Sequence, residues 1–570
     1  MEAGRAGSTT DRPWLGSYPD RVDPEPVPEH ATIVDAWRAR VDADPDDIAI
    51  HYFDGVLTAG EVDRASDALA AAMQDRDVRA GDRVGIYLQN IPYYPITLLA
   101  LWKIGAVAVP LNPMYRRAEL RRLVDDAGIV GIVAAPVEAD DLLATLEAST
   151  VGWVLSASDR DFQTTDDARV LAPLPATPLP DGDVGELIRR HDGRTPSPVA
   201  LRGDDLAFIT YTSGTTGPPK GALNSHRNFL HAAMNYATWV ALAPGDVVLA
   251  IAPLFHITGL TLNAGIALLN RTALVLTARY EPGVIVQAIA DHAVTFTIGS
   301  ITAFNAMLTV PWATGRHFRS VRTFFSGGAP IPPATIATFQ ERFGPYLHNV
   351  WGMTETTGGG IAVPSGRLAP VDPSSGTLSI GVPMQNVAVR IVDEHGDPVP
   401  AGTEGELEFD APQVVSGYWN KPDATASTFP GGRLRTGDVA IMDDDGWIYL
   451  VDRLKDLINA SGFKVWPREV EDVLYAHPAV FEAAVVGEPD EYRGETVVAY
   501  VSLAPGSRVE PEELIAFSRE RLAAYKYPRK VYVVDAIPKT ATGKIQRGTV
   551  RAGTAAARPG TASDTRGAHT

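Results

Sequence analysis

Cysteine is absent from the 570 residues of this protein. This absence excludes disulfide-stabilised folds, zinc sites with cysteine ligands, iron–sulfur clusters and thiol nucleophiles. Long apolar runs are scarce too: the segment 96–111, ITLLALWKIGAVAVPL, is interrupted by Lys103 and Pro110. It falls short of the roughly 18 uninterrupted apolar residues that predict a membrane span. We therefore expect a buried helix followed by a strand, and no transmembrane segment.

Basic residues are in the minority: 50 Lys and Arg stand against 69 Asp and Glu, which gives a formal net charge of −19. So acidic a chain is not expected to bind nucleic acid. The first residues, MEAGRAGSTTDRPW, carry charges where a secretory signal needs an apolar core, and this predicts a cytoplasmic protein. The composition, 45% hydrophobic and 21% charged, is that of a globular protein, and the length allows several domains.

Short β-branched runs alternate with longer amphipathic runs through much of the chain. Strands are predicted at 84–88, 247–252, 273–276 and 294–298, and helices at 93–104 and 284–290. This alternation predicts βαβ units and parallel sheets. Nearer the C-terminus, short strands follow one another at 387–392, 406–409 and in a hairpin at 441–449 closed by Asp-Asp-Gly. Beyond residue 453, a smaller α+β region is predicted, with helices at 467–475 and 511–524 and strands at 481–486, 496–502 and 531–534.

The segment 211–222 reads YTSGTTGPPKGA and follows a strand-like run at 206–210. Its hydroxyl side chains, glycines and lysine can surround a polyphosphate with backbone and side-chain donors and one cation. The Walker pattern needs Gly-Lys followed by Ser or Thr, whereas Lys220 follows Pro219, so an ordinary P-loop fold is not predicted. Taken alone, the segment could instead be a flexible Gly/Ser/Thr linker, but its composition favours a phosphate loop. The candidate nucleotide-binding residues in it are Thr212, Ser213, Gly214, Thr215, Thr216, Gly217 and Lys220.

Four further motifs follow this loop. They are SGGAPIPP at 326–333, NVWGMTET at 349–356, RTGDVA at 435–440, and a C-terminal pair, VDRLKDLINASGFKVWPREVE at 451–471 and PKTATGKIQR at 538–547. In this order the motifs resemble the adenylate-forming superfamily, which includes acyl-CoA synthetases, luciferases and the adenylation domains of nonribosomal peptide synthetases. The resemblance covers about residues 30–550. The early segment VPLNPMYRRAEL at 109–120 looks most like bacterial fatty-acyl-CoA synthetases.

The resemblance implies an α/β fold in two domains. We expect an N-terminal extension at 1–29 and a large N-terminal domain at 30–453, built from stacked αβ sheets plus a small barrel-like subdomain. A small mobile α+β C-terminal domain at 454–550 and a disordered tail at 551–570 complete the expected organisation. In the family the small domain swings about a hinge, at Lys455 here. The thiol tunnel is then lined by Ser461, Gly462, Phe463 and Lys464.

The activity that the resemblance implies is acid–thiol ligation. The acid's carboxylate attacks the α-phosphate of ATP and expels pyrophosphate, and the thiol of coenzyme A then displaces AMP. Such phosphoryl chemistry depends on positioning and charge neutralisation, so metal ligands and cations are expected rather than a protein nucleophile. By resemblance, Glu355 binds Mg²⁺, Thr354 lies near the α-phosphate, and Lys544 reaches the carboxylate and the α-phosphate. His256 is the fourth catalytic candidate, placed against the carboxylate.

The remaining nucleotide contacts also follow from the motifs. Asp438 is expected to accept hydrogen bonds from both ribose hydroxyls, with Arg453 near the same sugar. Trp351 is expected to stack on adenine, although many relatives have tyrosine at this position. The full set of further nucleotide-binding candidates is Gly328, Ala329, Pro330, Asn349, Trp351, Gly352, Met353, Thr354, Asp438 and Arg453.

The acid itself is expected to be apolar. Amino-acid-activating relatives commonly carry an aspartate where this chain reads LFHITGL, and no acidic residue occurs there. The expected pocket residues are Phe255, His256, Thr258, Thr302, Gly327 and Gly358. A medium- or long-chain fatty acid is favoured over an aryl or polycyclic one.

Two alternatives stay open at this stage. The enzyme could pass its acyl-adenylate to a carrier protein or a separate ligase instead of coenzyme A. The fold could also be a catalytically idle module that binds an acyl nucleotide. Loss of Lys544, Glu355 or Asp438 would favour the idle module, and all three residues are present.

Overall fold

The computed structural model describes residues 12–136, 139–172, 179–212, 219–329, 331–373, 377–453, 456–460, 463–490, 494–540 and 544–556. The described residues fold into two compact units: a larger one with residues up to 373 and 378–450, and a smaller one with Thr377 and residues 451–540 and 544–556. Among the described residues, no helix is both long and apolar enough to cross a membrane. The expected α/β class, with a large N-terminal unit of several sheets and a small C-terminal unit, is confirmed.

The described strands are β1 Ile48–Tyr52, β2 Gly55–Thr58, β3 Arg83–Tyr87, β4 Val107–Pro110, β5 Ile129–Ala134, β6 Trp153–Ser156, β7 Leu206–Tyr211, β8 Gly221–Ser225, β9 Val247–Leu249, β10 Ala273–Leu276, β11 Phe296–Ser300, β12 Thr323–Gly327, β13 Leu347–Trp351, β14 Ile361–Ala362, β15 Val382–Pro383, β16 Ala388–Val392, β17 Gly405–Asp410, β18 Leu434–Met442, β19 Ile448–Arg453, β20 Ile458–Ala460, β21 Phe463–Val465, β22 Val480–Asp490, β23 Gly494–Leu503 and β24 Lys530–Val533.

The described α-helices are α1 Ile33–Ala43, α2 Ala59–Gln74, α3 Tyr93–Lys103, α4 Arg117–Ala127, α5 Ala139–Leu146, α6 Val184–Arg190, α7 His226–Trp239, α8 Ile257–Gly259, α9 Ile266–Leu269, α10 Pro282–Asp291, α11 Ile301–Leu308, α12 Pro333–Phe343, α13 Pro422–Thr428, α14 Pro467–Tyr475, α15 Pro511–Arg519 and α16 Arg547–Ala556. Short 3₁₀ turns lie at Pro13–Ser17, Gly315–Phe318, Thr354–Thr356 and Pro430–Gly432, and a π-helix lies at Leu260–Gly265.

Three sheets build the larger unit within the described residues. The first has nine strands in the order β15-β14-β13-β12-β11-β9-β10-β1-β2, and the second has six in the order β6-β5-β3-β4-β7-β8. Both are parallel through their middle strands and are joined through helices, as the alternating pattern predicts. The third sheet, β16-β17-β18-β19, pairs antiparallel at β16-β17 and β17-β18.

The apolar run at 96–111 forms the buried helix and strand that the sequence predicts. Helix α3 is buried along its whole length, and β4 follows it into the second sheet. Lys103, at the end of α3, is 2% exposed. Its ammonium lies 2.6 Å from Asp63 Oδ1 and 2.7 Å from Asp67 Oδ1. The buried charge is therefore paired and hydrogen-bonded, as a charge in such a place must be.

Residues 12–29 pack against the larger unit. Trp14 is 2% exposed, and the Tyr18 hydroxyl donates to the carbonyl of Pro383 in β15 at 2.7 Å. Further on, the side-chain amide of Asn386 donates to the carbonyl of Pro26 at 2.6 Å. This part of the predicted extension thus contributes to the core beside β15.

The smaller unit contains a sheet in the order β21-β20-β23-β22, with β24 parallel to β23. Helix α14 packs on β22 and matches the predicted bounds. Helix α15 ends at Arg519, before the predicted end at residue 524, because the backbone turns there and the Arg521 N–H donates to Ser518 O. Helix α16 extends to Ala556, into the segment predicted as a tail.

Candidate active site

Candidate residues of the adenine slot and the acid pocket lie at the carboxyl ends of strands of the nine-stranded sheet or in the segments that follow them. Strands β9, β11, β12 and β13 are parallel neighbours, so their carboxyl ends lie at the same edge, where open α/β sheets bind ligands. The candidates at or just after these strand ends are Phe255, His256, Thr302, Gly327 and Trp351.

The base of the predicted phosphate loop is closed by the antiparallel pair β7 and β8. The Thr212 N–H donates to the carbonyl of Lys220 at 2.9 Å, and the Lys220 N–H donates to Thr212 Oγ1 at 3.3 Å. These bonds place Thr212 and Lys220 side by side at the mouth of the loop. The other loop candidates, Ser213, Gly214, Thr215, Thr216 and Gly217, lie outside the described residues.

Glu355 occupies the turn Thr354–Thr356 that follows β13, and it is 5% exposed. The Tyr418 hydroxyl donates to Glu355 Oε1 at 2.5 Å. The ammonium of Lys220 lies 4.4 Å from the centre of the same tyrosine ring, a cation–π contact. Burial, together with the neighbouring Glu355 carboxylate, raises the pKa of Tyr418, so its hydroxyl stays protonated and can donate. Tyr418 thus links the predicted metal ligand to the lysine of the phosphate loop.

The surroundings of Glu355 fit a magnesium ion that ATP brings with it. Magnesium prefers oxygen ligands and is usually held by one or two carboxylates plus phosphate oxygens and waters. Among the residues that the structure describes, no group of three or more His, Cys, Asp or Glu side chains is placed to hold a metal. A single buried carboxylate beside the predicted phosphate loop is the donor set expected for such an ion.

Trp351 and Asp438 form a second hydrogen bond from an aromatic side chain to a buried carboxylate. Trp351 is 6% exposed, and its indole N–H donates to Asp438 Oδ2 at 2.9 Å. The Trp351 ring also packs on Phe409, with 5.7 Å between ring centres. Asp438 is 4% exposed, and its backbone N–H donates to Thr436 Oγ1 at 3.1 Å. The edge of the indole therefore orients the carboxylate that the sequence assigns to the ribose.

Glycines allow the backbone segments around these residues to approach closely. A Cβ added at Gly352 would lie 2.3 Å from the carbonyl oxygen of Gly358, and one added at Gly327 would lie 2.8 Å from that of Val350. Gly328 and Gly358 adopt positive φ angles of 80° and 111°, which glycine reaches without strain. These positions need glycine for backbone geometry as well as for any ligand.

The other nucleotide candidates near β12 and β13 have different surroundings. Asn349 is buried, and its side-chain amide donates to the carbonyl of Ser379 at 3.1 Å. Ala329, Met353 and Thr354 are half-buried, and the Met353 N–H donates to Thr356 Oγ1 at 3.0 Å. Pro330 lies outside the described residues.

The acid-pocket candidates surround the start of an irregular helix. Phe255 is buried, and His256 caps α8 by accepting a hydrogen bond from the Thr258 N–H on Nδ1 at 3.3 Å. The chain then passes through the π-helix Leu260–Gly265, a form often found at functional sites. The Thr302 hydroxyl pairs with that of Ser300 at 2.7 Å.

The remaining candidates belong to the smaller unit. The Lys544 N–H donates to Thr540 Oγ1 at 3.1 Å, and its carbonyl accepts from the Thr540 N–H at 2.7 Å, which places Lys544 beside Thr540. Arg453 is the last residue of β19, and Phe463 and Lys464 lie in β21. Lys455, Ser461 and Gly462 lie outside the described residues.

Comparison with protein families places this geometry in a known group. The family model of the AMP-binding enzyme matches residues 37–419, and that of the AMP-binding enzyme C-terminal domain matches residues 469–544. The chain belongs to the AMP-binding enzyme family. The predicted resemblance to adenylate-forming enzymes is therefore confirmed, and so is the prediction of an AMP-forming acid–CoA ligase.

Individual members of the AMP-binding enzyme family are similar over most of their length. The chain is 35% identical to a feruloyl-CoA synthase of Amycolatopsis, over 90% of this chain and 97% of that one. It is 34% identical to a long-chain-fatty-acid–CoA ligase of Escherichia coli, over 94% and 97% of the two chains. The crystal structure of ATP-bound MatB from Rhodopseudomonas palustris is 27% identical, with a TM-score of 0.80, covering 91% of this chain and 98% of that one.

Sequence reasoning missed several residues of this AMP-binding enzyme that hold the site together. Tyr418 lies in the segment SGYWNKP, whose composition suggests only a turn, so nothing local connects it to Glu355. The buried amide of Asn224 donates to Thr357 Oγ1 at 3.0 Å, and the Thr357 hydroxyl donates to the carbonyl of Gln413 at 2.7 Å. Thr357 has a φ of 53°, a strained angle for a β-branched residue. These contacts fix the turn that carries Glu355.

Proposed function

We propose that the protein is an ATP-dependent acyl-CoA synthetase for an apolar carboxylic acid. It adenylates the acid with release of pyrophosphate and then transfers the acyl group to coenzyme A with release of AMP. ATP, Mg²⁺ and coenzyme A are the cofactors and substrates of such a ligase. The single observation that carries the proposal is the Lys220–Tyr418–Glu355 contact, since it joins the lysine that we propose binds phosphate to the buried carboxylate that we propose binds the metal.

The chain's own residues have distinct tasks in this reaction. Lys220 and the hydroxyl-rich loop before it bind the phosphates. Asp438, oriented by Trp351, accepts hydrogen bonds from the ribose hydroxyls. Glu355 would hold Mg²⁺, which when bound would supply positive charge to the phosphate oxygens. Lys544 places its ammonium on the acid's carboxylate and the α-phosphate, where negative charge accumulates.

We further propose that the small unit rotates about Lys455 between the two half-reactions. In this proposal Lys544 serves adenylation, and the segment from Ser461 to Lys464 serves thioester formation by lining the path of the thiol. A hinge of this kind requires only a few residues that absorb a large backbone change. The cytoplasm remains the proposed location.

The apolar acid is supported by the lining of the glycine run at 358–360. A Cβ added at Gly358 would lie 3.4 Å from Leu262, and one added at Gly359 would lie 3.1 Å from the ring of Tyr236. A charged substrate body would be buried there without a partner, at a large cost. We propose a medium- or long-chain fatty acid first. An aryl acid is the second candidate, because the feruloyl-CoA synthase is as similar as the fatty-acid ligase.

The decisive experiment incubates the protein with ATP, Mg²⁺ and a panel of fatty, aryl and polycyclic acids, with and without coenzyme A. AMP, pyrophosphate and acyl-CoA are followed by mass spectrometry. We expect acid-dependent AMP and acyl-CoA, abolished in Lys544→Ala. Lys539→Ala is the matched control, because it removes a lysine nearby in the same motif whose ammonium is paired with Glu482.

The outcomes separate the alternatives. Adenylate without thioester in the presence of coenzyme A would indicate transfer to a carrier protein or a separate ligase. If no acid on the panel gave pyrophosphate, the proposal would be wrong, and an idle binding module would replace it. Equal loss of activity in Lys539→Ala and Lys544→Ala would assign the effect to damage of the turn rather than to Lys544.

A further inference from the structure

The side chain of Tyr418 contacts both Glu355 and Lys220. Its hydroxyl oxygen lies 2.5 Å from Glu355 Oε1, and its ring centre lies 4.4 Å from the Lys220 ammonium. Tyr418 is 5% exposed and Glu355 is equally buried, so water does not compete for this hydrogen bond. The contact therefore constrains the carboxylate more tightly than an exposed hydrogen bond would.

The backbone around Tyr418 is fixed to the strand that leaves the phosphate loop. The Trp419 N–H donates to the carbonyl of Gly221 at 2.7 Å, and the Leu223 N–H donates to the carbonyl of Gly417 at 3.0 Å. These bonds join residues 417–419 to the edge of β8 through an isolated antiparallel bridge between Ala222 and Tyr418. The position of the tyrosine relative to Lys220 is thus set by main-chain pairing.

The same segment is also attached to the turn of Glu355. The Val415 N–H donates to the carbonyl of Glu355 at 3.0 Å. On its far side, the Tyr418 N–H donates to Thr425 Oγ1 at 3.0 Å. Gly417 permits this path, because its φ is 150° and a Cβ there would lie 2.5 Å from Thr425 Cγ2. Residues 415–419 therefore hold Glu355 by its main chain and its side chain together.

We propose that Tyr418 is a positioning residue that orients the Glu355 carboxylate for the Mg²⁺ of MgATP, an inference that rests on the proposed function. A carboxylate offers about four lone-pair positions on two oxygens, so one bond from the tyrosine leaves positions for a metal while fixing the carboxylate plane. Hydrogen bonds of this kind to a ligating carboxylate typically change metal affinity or activity 10- to 100-fold when they are removed.

The test is Tyr418→Phe, which removes the hydroxyl and keeps the ring beneath Lys220. Tyr93→Phe is the matched control, because the Tyr93 hydroxyl likewise donates to a carboxylate, Asp161 Oδ2 at 2.6 Å, and neither residue belongs to the candidate site. Calorimetry measures how Mg²⁺ concentration controls the binding of a non-hydrolysable ATP analogue. Initial rates of pyrophosphate release give KM and kcat separately for MgATP and for the acid.

We expect the half-saturating Mg²⁺ concentration to rise about tenfold in Tyr418→Phe and to stay unchanged in Tyr93→Phe. The KM for the acid should not change in either variant. A Mg²⁺ dependence in Tyr418→Phe equal to that of the wild type would overturn the positioning role, as would an equal shift in Tyr93→Phe. Because calorimetry needs no turnover, a wild type that binds the analogue but forms no adenylate would refute the proposed function alone.

Discussion

The hydrogen bond from Trp351 to Asp438 leads to a prediction that separates two roles of the tryptophan. The sequence assigns its aromatic face to adenine, whereas the structure uses its N–H to orient the proposed ribose ligand at 2.9 Å. Trp351→Phe keeps an aromatic face and removes the donor. A hydrogen bond to a charged group contributes about 1.5–3 kcal/mol. If that energy is fully expressed in ATP binding, kcat/KM for ATP falls roughly 10- to 150-fold.

The assay is the steady-state rate of pyrophosphate release with ATP varied at saturating acid, and then with the acid varied at saturating ATP. We expect kcat/KM to fall for ATP and to stay unchanged for the acid. Trp102→Phe is the control, because the indole N–H of Trp102 donates to a backbone carbonyl, that of Ala207, at 2.9 Å. A double-mutant cycle with Asp438→Asn tests the coupling, since the tryptophan should contribute much less once the carboxylate is gone.

The reasoning would be refuted by a Trp351→Phe variant whose kcat/KM for ATP changes less than threefold. It would be refuted equally by additive losses in the double mutant, because Trp351 and Asp438 would then act independently. A rise in the KM for the acid alone would assign Trp351 to the acid pocket instead of the nucleotide site.

Two further predictions concern stability. Gly352→Ala should lower the free energy of unfolding by about 1–3 kcal/mol or more, because the new Cβ would lie 2.3 Å from a backbone oxygen that no side-chain rotation can move. Gly16→Ala, which meets no atom within 4 Å, is the control in urea unfolding, and equal midpoints would contradict the expectation. Burial lowers the pKa of His226 and of His348 to about 4, from an ordinary value of 6.5. Between pH 6.5 and about 4, the unfolded chain therefore binds more protons than the folded one. The free energy of unfolding decreases as the pH is lowered through this window, by roughly 1.4 kcal/mol per pH unit for each histidine. His348→Gln should flatten this slope, and a slope as steep as that of the wild type would exclude His348 as a source.

Alternation of strands and helices was predictable because its cause is local. The apolar run of β10 and the amphipathic pattern of α14 match the structure residue for residue. The errors arise where a residue at the predicted start of one element instead ends the preceding one. Residues 294–298 resemble a strand, yet the Val294 N–H bonds to the carbonyl of Ile289 and closes α10, so β11 begins only at Phe296.

The motifs predict Glu355, Asp438 and Lys220 as site residues, but they do not predict the environments of these residues. Whether Glu355 is solvated or buried depends on the segment around Tyr418, which is distant in sequence and carries no chemical signature. Whether the indole of Trp351 presents its face or its edge depends on Phe409, in a different sheet. Contacts of this kind are tertiary, and a pattern along one segment does not encode them.

Tyr418 and Trp351 each donate a hydrogen bond to a buried carboxylate. Glu355 and Asp438 are 5% and 4% exposed, and a buried carboxylate is costly unless hydrogen bonds replace its water. A lysine or arginine in either place would supply such bonds but would also cancel the negative charge. A phenol and an indole instead supply one donor each on an apolar, water-excluding body. Because both donors are neutral, the carboxylates keep the charge that the proposed binding of a metal ion and of a ribose diol requires.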